Sequence, residues 1–165
     1  MRTISAGILD ASEHLFADRA ILCLELTPAD HLLLWSFREL LTARLEGRSV
    51  RQILGGLKGA PDRSATILLR LLAAELIAVT RRNLRFGQPH CQHLMPDELA
   101  LLASIDRIQA GDEARAGMLL QNLCANSRID GLMEAAHHLG RALGDRGMII
   151  RVMRLVPPEM LPSIH

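Results

Sequence analysis

The sequence predicts an all-α protein: a single multi-helix bundle of five to seven helices with at most one or two short strands. Three observations carry this prediction. Hydrophobic residues make up 49% of the 165-residue chain but aromatics only 2%, with one Trp, three Phe and no Tyr. A core so composed is built from Leu, Ala, Ile, Val and Met, most of which favour helix. Apolar residues recur at spacings of three and four, and proline-acid openings and glycine stops punctuate these stretches. A chain of this length buries a normal core without disulfides or metal.

Thr27-Pro28-Ala29-Asp30 opens the first helix, with Thr as N-cap, Pro at the first helical position and an acid complementing the dipole. Leu34, Phe37, Leu41 and Leu45, widened by Leu33 and Leu40, give it a broad buried face to about Glu46, and Gly47 ends it. Ser49 is a candidate cap for a short second helix running into Gly55-Gly56-Leu57-Lys58-Gly59, where three glycines weaken helix. A third helix is predicted from Pro61-Asp62 to about Val79. Its Ile67, Leu68, Leu71, Leu72, Leu76 and Ile77 cover most of the circumference, which makes it the expected central core helix. Val79 to Phe86 changes character, with Thr80-Arg81-Arg82-Asn83 as a turn or short strand.

Pro96-Asp97-Glu98 opens another helix through Leu99, Leu102, Ile105 and Ile108 to about Ala110, and Gly111 ends it. Asp112 caps the next, to about Ala125. Ser127-Arg128-Ile129-Asp130 resembles a capping box opening a last helix to about Leu143, closed by Gly144 and Gly147. Met148 to Val156 alternates loosely as a second candidate strand, and three prolines keep the tail, residues 157–165, extended or ordered only by docking. The openings at Thr27 and Met95 are alike, which suggests two three-helix halves, residues 27–86 and 95–147, within one domain over residues 1–165. Common helix-opening chemistry is the favoured explanation of the likeness, over a true internal duplication.

Net charge is +1, yet residues 38–86 hold ten basic against four acidic side chains, leaving the flanks acidic. Arg48, Arg51, Arg81, Arg82 and Arg85 are therefore candidate contacts to an anion or to nucleic acid. A short helix, a turn, a longer helix and a basic stretch imitate helix-turn-helix topology. The longer helix, however, lacks the polar outward face of a recognition helix. Too few aromatics are present for a base-stacking surface, and no phosphate-binding glycine loop is found.

His90-Cys91-Gln92-His93 concentrates metal-ligand side chains beside a helix start. Cys91 and His93, with Cys124 and His137 as more distant partners, are the candidate zinc ligands. Structural zinc usually takes two close pairs, and only one is visible, so no cofactor is predicted. Cys91 as a reactive thiol is the other chemical reading, because a neighbouring imidazole and a helix N-terminus favour thiolate. Cys23 and Cys124 read as inert core thiols. Glu134 and His137 have the spacing used by di-iron bundles, but that motif needs a second copy. Trp35 and Phe37 lie on a helix that is apolar on more than one face. They are either sandwiched in the bundle, the favoured reading, or candidate interface residues with a second chain.

Three Cys residues, no continuous apolar stretch near the N-terminus and no run long enough to span a bilayer point to a reduced, cytoplasmic setting away from membranes. The functional expectation is a bacterial-type, non-enzymatic interaction or regulatory protein, acting as a homo-oligomer or on another protein. A DNA-binding regulator using residues 38–86 is the alternative. A metal- or thiol-dependent enzyme centred on Cys91 and His93 comes third.

Overall fold

The structure is a computed structural model that describes residues 21–47 and 63–156. Five α-helices are present in it, α1 (Pro28–Leu45), α2 (Arg63–Val79), α3 (Pro96–Gln109), α4 (Glu113–Cys124) and α5 (Asp130–Asp145), with 3-10 turns at Cys23–Glu25 and Val152–Leu155. The second short helix expected after Ser49 lies outside the described residues, as do Arg48, Arg51 and the tail.

Local chemistry sets the helix boundaries. At α1 the Thr27 hydroxyl accepts from the Asp30 N–H at 3.2 Å and the Asp30 carboxylate accepts from the Thr27 N–H at 3.0 Å, a reciprocal cap behind Pro28. The other Asp30 oxygen accepts from the Arg151 N–H at 2.8 Å. One buried carboxylate thus starts α1 and holds the C-terminal segment against it. Gly111, at φ +80°, makes the left-handed turn between α3 and α4, and Asp112 caps α4 by accepting from Arg115 N–H at 3.2 Å.

The last helix opens at Asp130, two residues later than the Ser127 box predicts. Asn126 Oδ1 accepts from the Arg128 N–H at 3.0 Å, so the intervening residues form a side-chain-closed turn. The helix also continues to Asp145, past Leu143, before Gly147 (φ +72°) ends the chain's descent.

No strand forms among the described residues, although two were expected as candidates. Met148 to Val156 is held instead by α3 side chains. Gln109 Nε2 donates to the Gly140 and Met148 carbonyls at 3.0 Å each, Gln109 Oε1 accepts from Ile150 N–H at 2.8 Å, and Asp106 accepts from Met153 N–H at 2.9 Å. Side chains thus take the Met148 carbonyl and the Ile150, Arg151 and Met153 N–H groups, and local turns take the N–H groups of Met148, Arg154 and Val156, in place of a strand ladder.

The helix after Pro61 is not the centre of the core. That place belongs to α3, which packs on α1, α4, α5 and the Val152–Leu155 turn and buries Leu101, Leu102, Ile105 and Ile108. α2 packs on α5 and α1 through a buried face of Ala65, Leu69, Leu72, Ala73 and Leu76, while Ile67 and Leu71 are 56% and 44% exposed. An all-round apolar sequence therefore reflects one buried face and one apolar outer face. The contacts of α2 with α5 and of α1 with α3 join the two candidate halves into one continuous core cluster.

Candidate functional site

Between α2 and α3 the chain runs from Thr80 to Met95 without regular structure, and two acid–arginine pairs hold its shape. The first pair joins α1 to the start of α3. Arg38 lies on the buried stripe of α1, four residues after Leu34 and three before Leu41. Its Nε and Nη2 donate to the two Glu98 oxygens at 2.7 Å each, with both side chains almost wholly enclosed. The remaining guanidinium hydrogens donate to the carbonyls of Cys91 (2.7 Å) and His93 (2.8 Å). Glu98 in turn accepts from the Gly87 N–H at 2.7 Å and the Met95 N–H at 2.8 Å. Burial works against the charged guanidinium, but the hydrogen bonds and charge of Glu98 outweigh it and hold the Arg38 pKa above its ordinary range.

The second pair is less enclosed. Arg82 donates to both oxygens of Asp97 and, through Nε, to the Leu123 carbonyl at 2.7 Å, while Asp97 accepts from the Arg85 N–H at 2.6 Å. Asp97 and Glu98, which helix-dipole electrostatics account for in the sequence, are therefore the clamps of the loop. Sequence reasoning missed Arg38. Its signal was a charged residue on an otherwise apolar stripe, which when buried demands a partner.

Gly87 packs against this clamp so closely that a Cβ there would sit 2.8 Å from Arg38 Nη2 and 3.0 Å from Cys91 Cβ. Outside the clamp, a cleft of about 250 Å³ opens between α1, the Cys23 turn and the loop, with Cys23, His31, Trp35, Arg38, His90 and Cys91 on its wall. An antiparallel bridge between Leu22 and His93, with Cys23 N–H donating to the Gln92 carbonyl at 2.7 Å and Leu94 N–H to Ile21 at 2.9 Å, closes its floor.

The four candidate zinc ligands are not brought together. Among the described residues no three His, Cys, Asp or Glu side chains are placed to share a metal ion. Cys91 Sγ approaches the His93 carbonyl at 3.4 Å. Cys124 is buried at the end of α4, where Thr80 Oγ1 meets its sulfur at 3.6 Å. Burial raises the Cys124 pKa, with the Thr80 hydrogen bond opposing. His137 pairs with Glu113 at 3.3 Å and His138 with Glu134 at 3.7 Å, so the Glu134–His137 spacing serves no shared site.

Of the basic candidates, Arg81 is exposed, Arg82 is engaged by Asp97 and Leu123, and the Arg85 backbone is tied to Asp97. Phe37, offered as an interface residue, is 2% exposed and stacks on Phe86 with ring centroids 6.0 Å apart, while Trp35 is half-buried on the cleft wall. No helix among the described residues is long and apolar enough to cross a membrane. The chain matches no protein-family model, no curated protein and no solved structure with which it was compared.

Proposed function

We propose that the protein is a non-enzymatic helical interaction module that pairs with a second copy of itself through the outer face of α2. The observation that carries this reading is the exposed stripe Ile67, Leu71, Ala74 and Ala78. Its spacing of four, three and four is the seam spacing of a two-stranded helical pairing, and its two alanines allow close backbone approach. The stripe lies on the side of α2 away from the core residues Leu69, Leu72 and Leu76, and its Ile67, Leu71 and Ala74 border an open groove shared with Leu40, Leu41 and Arg44 of α1.

Charge supports a second copy as the partner and a parallel direction. Arg70, just before Leu71, and Glu75, just after Ala74, flank the stripe on opposite sides, and neither takes an ion pair among the described residues. In a parallel pairing of two copies, Arg70 of one faces Glu75 of the other across the seam, twice by symmetry; an antiparallel pairing sets Arg70 against Arg70. This reading puts the interface on α2 rather than on the Trp35–Phe37 helix. Among the described residues the DNA reading is disfavoured by the apolar stripe on α2 and by the internal engagement of Arg82, while Arg48 and Arg51 lie outside them.

Light scattering during sizing chromatography tests the proposal. The wild-type protein is expected at twice the 18.2 kDa chain mass, and Leu71→Glu at the single-chain mass with unchanged helical circular dichroism. A wild-type monomer at every concentration, or a Leu71→Glu dimer, overturns it. Reversing one charge, Arg70→Glu, weakens the dimer, and adding Glu75→Arg restores it.

A further inference from the structure

Two of the three thiols share the wall of the cleft described above, and they differ in access. Cys23 Sγ lies 3.5 Å from the carbonyl oxygen of Cys91, and Arg38 Nη1 reaches both residues, 2.7 Å to that oxygen and 3.9 Å to Cys23 Sγ. The Leu22–His93 bridge fixes the two backbones side by side. Cys91 is half-buried and opens on the cleft, whereas Cys23 is 8% exposed beneath it. The third thiol, Cys124, sits at the far end of α4 against Thr80 and takes no part.

We propose that Cys91 and Cys23 form a peroxide-sensitive thiol pair that closes to an intramolecular disulfide. The accessible sulfur meets the oxidant and the buried neighbour resolves it. In the first step the Cys91 thiolate attacks one oxygen of hydrogen peroxide. The S–O bond forms as the O–O bond breaks, and the departing hydroxide takes up a proton to become water. In the second step Cys23 Sγ attacks the sulfenic sulfur. The S–S bond forms, the S–O bond breaks, and the leaving hydroxide accepts the Cys23 proton as a second water. Two thiols and one peroxide become one disulfide and two waters. The Arg38 guanidinium stands beside Cys23 as that sulfur gives up its proton, and its place in the Glu98 clamp keeps it there. Burial otherwise keeps Cys23 protonated, so it does not compete with Cys91 for the oxidant.

The product fastens the Cys23–Glu25 turn covalently to the loop that Arg38 and Glu98 hold, across the mouth of the cleft. In a reducing compartment such a bond is transient and reports oxidant.

Peptide mass spectrometry of the reduced full chain, treated with one equivalent of hydrogen peroxide, alkylated and digested without reductant, tests this directly. The expected result is a crosslinked peptide pair containing Cys23 and Cys91, lighter by two hydrogens than the separate peptides and dissolved by dithiothreitol. Cys124 is expected to take alkylating agent only after denaturation. Cys23→Ser is expected to leave a sulfenic acid on Cys91 that dimedone traps. A Cys91–Cys91 link between chains, or oxidation of Cys91 beyond sulfenic acid while Cys23 remains a free thiol, overturns the proposal. Both outcomes are read in the wild-type protein, independently of whether a variant folds.

Discussion

Glu98→Gln removes a single charge from the centre of the molecule while keeping the size of the side chain. The Glu98 carboxylate accepts four hydrogen bonds, from Arg38 Nε and Gly87 N–H on one oxygen and from Arg38 Nη2 and Met95 N–H on the other. Those fill the roughly four acceptor positions a carboxylate has. In the variant one oxygen becomes an NH₂ group that faces two donors whichever way the amide is turned, and the enclosed guanidinium loses its counter-charge. Removing one member of a buried ion pair costs about 3–5 kcal/mol. For a domain of this size that corresponds to a fall of roughly 6–20 °C in melting temperature. Urea unfolding followed by circular dichroism measures the change as a shift in midpoint at constant slope. A loss below about 1 kcal/mol, the range of an exposed pair, refutes the argument that the clamp is buried and fully bonded. Arg38→Met combined with Glu98→Gln is expected to recover part of the loss, because no unpaired charge is then enclosed.

Two further outcomes follow from the packing. A Cβ at Gly140 meets Ile108 Cγ2 at 3.0 Å where α5 crosses α3, so Gly140→Val is expected to lose about 1–3 kcal/mol of stability in the same unfolding assay. An unchanged midpoint removes that close crossing. Burial raises the pKa of both Cys124 and Cys23, with Thr80 and Arg38 respectively pulling the other way. The unfolded chain ionises these thiols near pH 8.5 while the folded chain keeps them protonated, so their contribution is complete below about pH 8.5 and falls above it, by up to about 1.4 kcal/mol per pH unit per thiol. Cys124→Ala is expected to flatten the alkaline decline in stability, and parallel wild-type and variant curves contradict it.

Helix openings were the most legible part of the sequence because capping is local. Thr27, Pro28 and Asp30 complete α1 within four residues, and Pro96 to Glu98 do nearly the same for α3. The role of each helix was less legible. α2 is the greasiest, yet α3, with three buried acids, is central, since burial depends on which elements surround a helix and not on its composition alone. Leu45, placed on the buried stripe of α1, is 54% exposed because the core ends before the helix does. In the loop, the cluster at His90 to His93 drew attention by ligand type. The organising residues were Arg38 and Arg82, whose partners lie 60 and 15 positions away, and no periodicity reports such pairings.

The clamp grips the loop through main-chain atoms: Arg38 binds the carbonyls of Cys91 and His93, and Glu98 the amides of Gly87 and Met95. Any residue offers such carbonyls and all but proline such amides; among these four positions the contact with Arg38 restricts Gly87 further. The side chains of Gln88, His90 and Gln92 are exposed and stand outside this grip, so the loop keeps its outline whatever these positions carry. The molecule separates the part of the loop that sets shape from the part that meets solvent, and the second can be rewritten, by drift or by design, without unfolding the first.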